Sequence, residues 1–205
     1  MEKEYYEAQI KYINEIRSIR HDIQAHMIAL QYYLDAGDYE KAKAYLGDMK
    51  QNQKSGGLVL KDTGNDLVNA IASDVLGRSQ REIVLEVSGL LPEQLLMSEY
   101  DTCTLFSNLF SNACEACEKL QDIKPVISIE VHEKKDDWSI VMRNPIEWKV
   151  RTDKTGLLTS KEDKESHGYG VKNMMQVVKK YEGKMEFLIT ENYFQVEITY
   201  RKSLE

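Results

Sequence analysis

The chain has 205 residues, 42% of them hydrophobic and 30% charged, with a formal net charge of −7. That composition supports one or two globular domains, and the negative balance counts against attraction to a phosphate backbone, so nucleic acid is not an expected partner. No apolar run reaches the roughly 18 to 20 residues of a membrane helix, and the opening MEKEYYEAQ is too acidic and polar for a signal peptide.

In chain order, Ile13, Ile16, Arg20, Ile23, Met27, Leu30 and Leu34 step by three and four, a heptad seam broken only by Arg20. The stretch DAGD ends this helix. Gly37 suits the left-handed position past the last turn, and Asp38 suits the cap of the next helix. Tyr39, Ala42, Leu46 and Met49 carry the apolar stripe down a second helix, antiparallel to the first because the loop is short. Two such helices cannot bury both apolar faces alone. A second copy of the hairpin is the expected partner, giving a homodimeric antiparallel four-helix bundle.

The polar, glycine-bearing KQNQKSGGLVLKDTGN reads as a linker region. The expected organisation is a helical hairpin over residues 1–56, a linker over 57–64 and a second domain over 65–202. In that domain Asp66 to Ser79 and Glu99 to Leu120 read as helices, and EIVLEV, VISIEVH and WSIVMRN as strands. An aperiodic charged stretch, EWKVRTDKTGLLTSKEDKESHG, precedes a helix in YGVKNMMQVVKKYEG that ends at Gly183. KMEFLI and YFQVEITY close the domain as a strand pair. The fold class is α+β, a hairpin followed by an α/β sandwich with helices on one face of a mixed sheet.

Four constellations could carry chemistry. His21, at the b position beside the seam, faces solvent, and Asp22 could hold one ring nitrogen so that the other presents its lone pair. A solvated helix face with neighbouring His and Asp gives the same pattern. Asn108 and Asn112 lie four apart on one helical face with Glu115 beyond. Amide oxygens are hard neutral ligands suited to Mg²⁺, although a polar helix edge looks alike. Gly168 and Gly170 introduce an amphipathic helix whose free N–H groups and dipole suit phosphate. The long aperiodic stretch before them suits a lid or binding loop. Asn144 closes a strand before Pro145, where its amide could read a ligand edge or simply end the strand. Cys114 and Cys117 form a CxxC spacing with no second pair and read as buried thiols, not zinc ligands. His26 reads as a bundle-flank residue and His132 as a strand-end surface residue.

In this order the four resemble a sensor histidine kinase of a two-component system: a dimerisation and phosphoacceptor hairpin, then a GHKL (Bergerat-type) ATP-binding domain. The resemblance runs from about Ile13 to Tyr200. RHDIQAHMIAL resembles the phosphoacceptor motif of the peptide-pheromone-sensing, Agr-like subgroup, a quorum-sensing group. NLFSNACEA resembles the N-box, and LTSKEDKESHGYGVKN resembles that subgroup's lid and glycine box. The resemblance implies ATP-dependent phosphorylation of His21 with Asp22 as acid/base helper, Mg²⁺ on Asn112 with Asn108 beside it, and Gly168 and Gly170 against the phosphates. It implies transfer onward to an aspartate of a response regulator receiver domain. It also implies a cytoplasmic portion of a membrane-anchored sensor whose sensing segment lies upstream.

Two departures stand out. The family's DxGxG box, whose aspartate reads the adenine amine, is replaced by RNPIE, where the amide oxygen of Asn144 can accept the same hydrogen bond. Four residues after the histidine, where the family carries Asn or Thr to position a dephosphorylating water, stands Ala25. Its methyl group cannot orient water, so weak or absent phosphatase activity is expected. Both departures also suit the alternative of a catalytically degenerate dimeric nucleotide-binding module that regulates by binding.

Overall fold

The structure, a computed structural model, describes residues 2–50, 59–60, 62–120, 124–134, 137–146, 167–190 and 192–201. Contacts divide the chain into two units, Met1–Gln53 and Lys54–Glu205.

The first unit is a helical hairpin. α1 (Glu2–Asp35) has 34 residues, about 51 Å at the helical rise, and α2 (Tyr39–Lys50) has 12. Between them Gly37 takes φ +70, and the N–H of Asp38 reaches back to the carbonyl of Tyr33 at 2.9 Å. This closes α1 with a left-handed residue, as the glycine suggested. Asp38 then caps α2, accepting from the Lys41 N–H at 3.2 Å. His26 and the Tyr45 hydroxyl lie 2.8 Å apart across the hairpin, and Ala42 is buried. The seam residues Ile13, Ile16, Ile23, Met27, Leu34, Leu46 and Met49 are exposed in the single chain.

The second unit runs β1 (Val59–Leu60), α3 (Asp66–Gly77), β2 (Val84–Ser88), α4 (Glu99–Glu118), β3 (Val126–Glu133), β4 (Asp137–Pro145), α5 (His167–Lys180), β5 (Lys184–Ile189) and β6 (Tyr193–Arg201). The sheet order is β1-β2-β3-β4-β6-β5. β1, β2 and β3 are parallel, because α3 and α4 each carry the chain back across the sheet. The remaining neighbours are antiparallel. β1 lies in the stretch read from sequence as linker, and it adds a short edge strand beside β2.

Alternation along the strands sends one set of side chains into a single core. Trp138, Ile140 and Met142 of β4 pair with Tyr200, Ile198 and Val196 of β6 and join Leu105, Phe106, Leu109 and Met174 from the helices. The opposite face is polar: Arg143 donates to Gln195 at 2.7 Å and pairs with Glu130. α4 is central, packing against α3, α5 and β4. Buried Asn65 caps α3 by accepting from the Val68 N–H at 3.1 Å. Its amide donates to the carbonyls of Pro92 and Glu93, which fixes the segment leading into α4.

Two boundaries of α5 differ from the sequence reading. The helix starts at His167, so Gly168 and Gly170 stand inside its first turn, not ahead of it. The free N–H groups of a helix belong to that first turn in either arrangement. At the other end the helix stops at Lys180, and the left-handed residue is Glu182, with φ 55. The N–H of Gly183 reaches the carbonyl of Val178 at 2.9 Å. Gly183 is there for room: a Cβ on it would lie 2.6 Å from Tyr200 Cε1 and 2.9 Å from Val178 Cγ1.

Candidate functional site

In the hairpin, the His21 side chain is 82% exposed and its Nδ1 lies 3.5 Å from Asp22 Oδ1. The helix turns the ring outward, away from the face that meets α2, where His26 and Tyr33 sit. His21, Ala25, Ile28 and Tyr32 follow one another along that outward face at helical spacing, with Ile28 and Tyr32 exposed. The imidazole is accessible, and the Asp22 carboxylate stands near one ring nitrogen without a hydrogen bond to it.

In the second unit the site is built from α4 and α5. Ser98 caps α4, its hydroxyl accepting from the Asp101 N–H at 3.2 Å. Asp101 is buried, and its Oδ2 receives Lys180 Nζ at 2.6 Å, Tyr181 OH at 2.6 Å and Ser98 Oγ at 2.8 Å. The hydrogen bond from Lys180, followed by those from Tyr181 and Ser98, holds the Asp101 carboxyl down to about 2. The same contact raises Lys180 above the ordinary lysine range. This ties the start of α4 to the end of α5, and the helices run antiparallel, with the start of α5 alongside the middle of α4.

That is where the two asparagines meet the glycine. A Cβ on Gly170 would lie 2.8 Å from Asn108 Oδ1 and 3.8 Å from Asn112 Oδ1. Asn108 gives its amide hydrogens to the Thr104 carbonyl at 2.6 Å. Among the described residues the Asn112 side chain has no hydrogen-bond partner. Two amide oxygens thus face the turn whose backbone N–H groups lack helical partners; those N–H groups suit a phosphate, and the unpartnered Asn112 oxygen suits a hard cation beside it.

Asn144 stands on the sheet. It is 5% exposed and continues the row Trp138, Ile140, Met142 on the helix-facing side of β4, opposite Phe194. Its Nδ2 donates to the Pro145 carbonyl at 3.1 Å, which leaves the amide oxygen as an acceptor. The stretch read as a lid falls outside the described residues apart from its end at His167 and Gly168, in the first turn of α5.

Among the described residues no group of three His, Cys, Asp or Glu could hold a metal. Cys114 and Cys117 are buried and free, and burial pushes the Cys117 thiol up to about 12 and raises that of Cys114. They are unreactive core groups. His132 is exposed near Glu130, 3.3 Å away. The Asp101–Lys180–Tyr181 cluster was not foreseen. The Ser-x-x-Asp at 98–101 is a capping signal, but nothing local marks partners some 80 positions away.

Residues 97–201, from the segment before α4 through β6, match the GHKL domain family. No curated protein matches the chain. Among solved structures it is similar to the mycobacterial sensor histidine kinase MprB, at 14% identity and a TM-score of 0.50 over 66% of this chain and 93% of that one. It is also similar to the catalytic domain of the histidine kinase ThkA, at 14% identity and a TM-score of 0.50 over 67% of this chain and 91% of that one. At such identity the likeness concerns the fold. Among the described residues no helix is long and apolar enough to cross a membrane. The family match takes in α4, α5 and the four strands β3 to β6 and covers slightly more than half of the residues, and on that ground the chain belongs to the GHKL domain family.

Proposed function

We propose that the chain is the catalytic core of a histidine kinase: the second unit binds ATP with Mg²⁺, the γ-phosphoryl group passes to His21, and from there to an aspartate of a response regulator receiver domain. The observation that carries this reading is the convergence of Asn108 and Asn112 on Gly170 at the first turn of α5. The first-turn N–H groups hold the phosphates. Asn144 accepts a hydrogen bond from the adenine amine, its own NH₂ group being occupied by Pro145. The residues present fit magnesium: Asn112 offers a hard neutral oxygen with no hydrogen-bond partner among the described residues, beside the first turn of α5. When bound, the metal supplies charge neutralisation at the phosphates.

In the transfer, Asp22 holds His21 as the tautomer protonated at Nδ1, leaving the Nε2 lone pair for attack. A bond forms from Nε2 to phosphorus as the bond to the ADP oxygen breaks, and Asp22 stabilises the cationic ring. The exposed seam of α1 and α2 is the dimer interface, a homodimeric four-helix bundle that pairs two His21 sites. The sequence motifs favour the Agr-like, peptide-pheromone-sensing subgroup, with the chain as the cytoplasmic part of a membrane-anchored receptor. Ala25, on the His21 face, makes the protein a poor phosphatase.

Incubating the full chain with ATP labelled at the γ-phosphate and Mg²⁺ tests the reading. Acid-labile, base-stable label that disappears in His21→Ala is the expected result. Nucleotide binding without label would favour the degenerate regulatory module, which Ala25 and the RNPIE stretch support. No binding at all would refute both.

A further inference from the structure

The two asparagines of α4 are not equivalent. Asn108 is a bound side chain: its NH₂ group is committed to the Thr104 carbonyl one turn back, at 2.6 Å. That bond fixes the amide plane and aims the oxygen across at α5, where it rests 2.8 Å from the place a Gly170 Cβ would take. Asn112 lies one turn further along, 3.8 Å from the same point, with no hydrogen-bond partner among the described residues. Gly170 does not have a positive φ, so the left-handed region does not explain a glycine inside a helix. Close approach does, and Asn108 is the group it approaches.

We propose that Asn108 is a positioning residue and not a metal ligand: its side chain sets the standoff between α4 and the first turn of α5, and Asn112 alone presents its oxygen to the cation. This rests on the nucleotide-binding reading above. Any Cβ on Gly170 pushes the first turn off Asn108, and truncation of Asn108 lets the turn collapse. In both cases the backbone N–H groups that face the phosphates are displaced whether or not a metal is present.

The test is binding of a fluorescent ATP analogue to the full chain, titrated once with excess Mg²⁺ and once with EDTA. Asn112→Ala should lose the tightening that Mg²⁺ brings and match wild type in EDTA. Asn108→Ala and Gly170→Ala should each weaken binding roughly three- to tenfold, the scale of one net hydrogen bond, by the same factor in both buffers. The double variant Asn108→Ala/Gly170→Ala removes the oxygen that the new Cβ would meet at 2.8 Å, and it should bind more tightly than Gly170→Ala alone. Asn108→Ser, a milder truncation, should fall between wild type and Asn108→Ala in both buffers. A loss in Asn108→Ala or Asn108→Ser confined to the Mg²⁺ titration would make Asn108 a ligand and overturn the proposal, as would strict additivity in the double variant. Failure of the wild-type chain to bind in either buffer would instead overturn the nucleotide reading, and this inference with it.

Discussion

Replacing Gly183 by alanine should destabilise the protein although the backbone there is open to any residue. The new Cβ would meet Tyr200 Cε1 at 2.6 Å, Tyr200 Cδ1 at 2.8 Å and Val178 Cγ1 at 2.9 Å. None of these can yield easily. Tyr200 is 1% exposed and stacks on Trp138 with ring centroids 5.0 Å apart, and Val178 is buried at the end of α5. Overpacking of this kind costs about 1–3 kcal/mol. Against it stands a gain of about 0.4–1 kcal/mol from a less flexible unfolded chain. The net expectation is a loss of roughly 1–2 kcal/mol, a midpoint shift of roughly 0.5–1 M in urea for a protein of this size. Trp138 reports on the site directly, so a Trp148→Phe background followed by fluorescence in urea isolates the signal. Glu182→Gly is the matched control. It relieves a left-handed non-glycine residue, worth about 1–2 kcal/mol, and adds back chain freedom of about 0.5–1 kcal/mol, so it should be neutral to stabilising. If Gly183→Ala unfolds at the wild-type midpoint while Glu182→Gly unfolds earlier, the assignment of roles at this junction is reversed and the reasoning fails.

Asp101 gives a pH signature. Its folded value near 2 lies below the unfolded carboxylate value, so its contribution is complete above about pH 4 and is lost as pH falls through about 2. Wild type should therefore lose thermal stability relative to Asp101→Asn between those limits, and parallel melting curves from pH 5 to 2 would contradict this. In the hairpin, Ile16→Lys combined with Met27→Lys places charge on the exposed seam. Sedimentation should then show a dimeric wild type and a monomeric variant, whereas a monomeric wild type would remove the bundle. Ala25→Asn should increase loss of label from a phosphorylated cognate regulator several-fold, and no change would show that a missing amide is not what limits that reaction.

Features governed by near neighbours were readable before the structure. The helical course of α1, the Gly37 and Asp38 junction and the alternation of WSIVMRN depend on residues within a turn or a strand, and each folds as its pattern indicates. The pairing of Asn108 with Asn112 was equally plain, being a single helical repeat. What brings them to Gly170 was hidden. The antiparallel setting of α4 and α5 is pinned at one end by Asp101 meeting Lys180 and Tyr181, and no local pattern encodes a contact across that separation. Gly183 misled for a related reason. The sequence pattern ends the helix at this glycine, but α5 stops at Lys180 and the glycine answers to a tyrosine on β6, with the left-handed residue at Glu182.

The far border of the sheet bears on how copies of this molecule can meet. β5 is an outermost strand, and a bare border of that kind invites pairing with another chain. Here it carries exposed Lys184 and Glu186, joined at 2.9 Å, and a second copy stacked in register would set Lys on Lys and Glu on Glu. In-register growth along this rim is thereby discouraged.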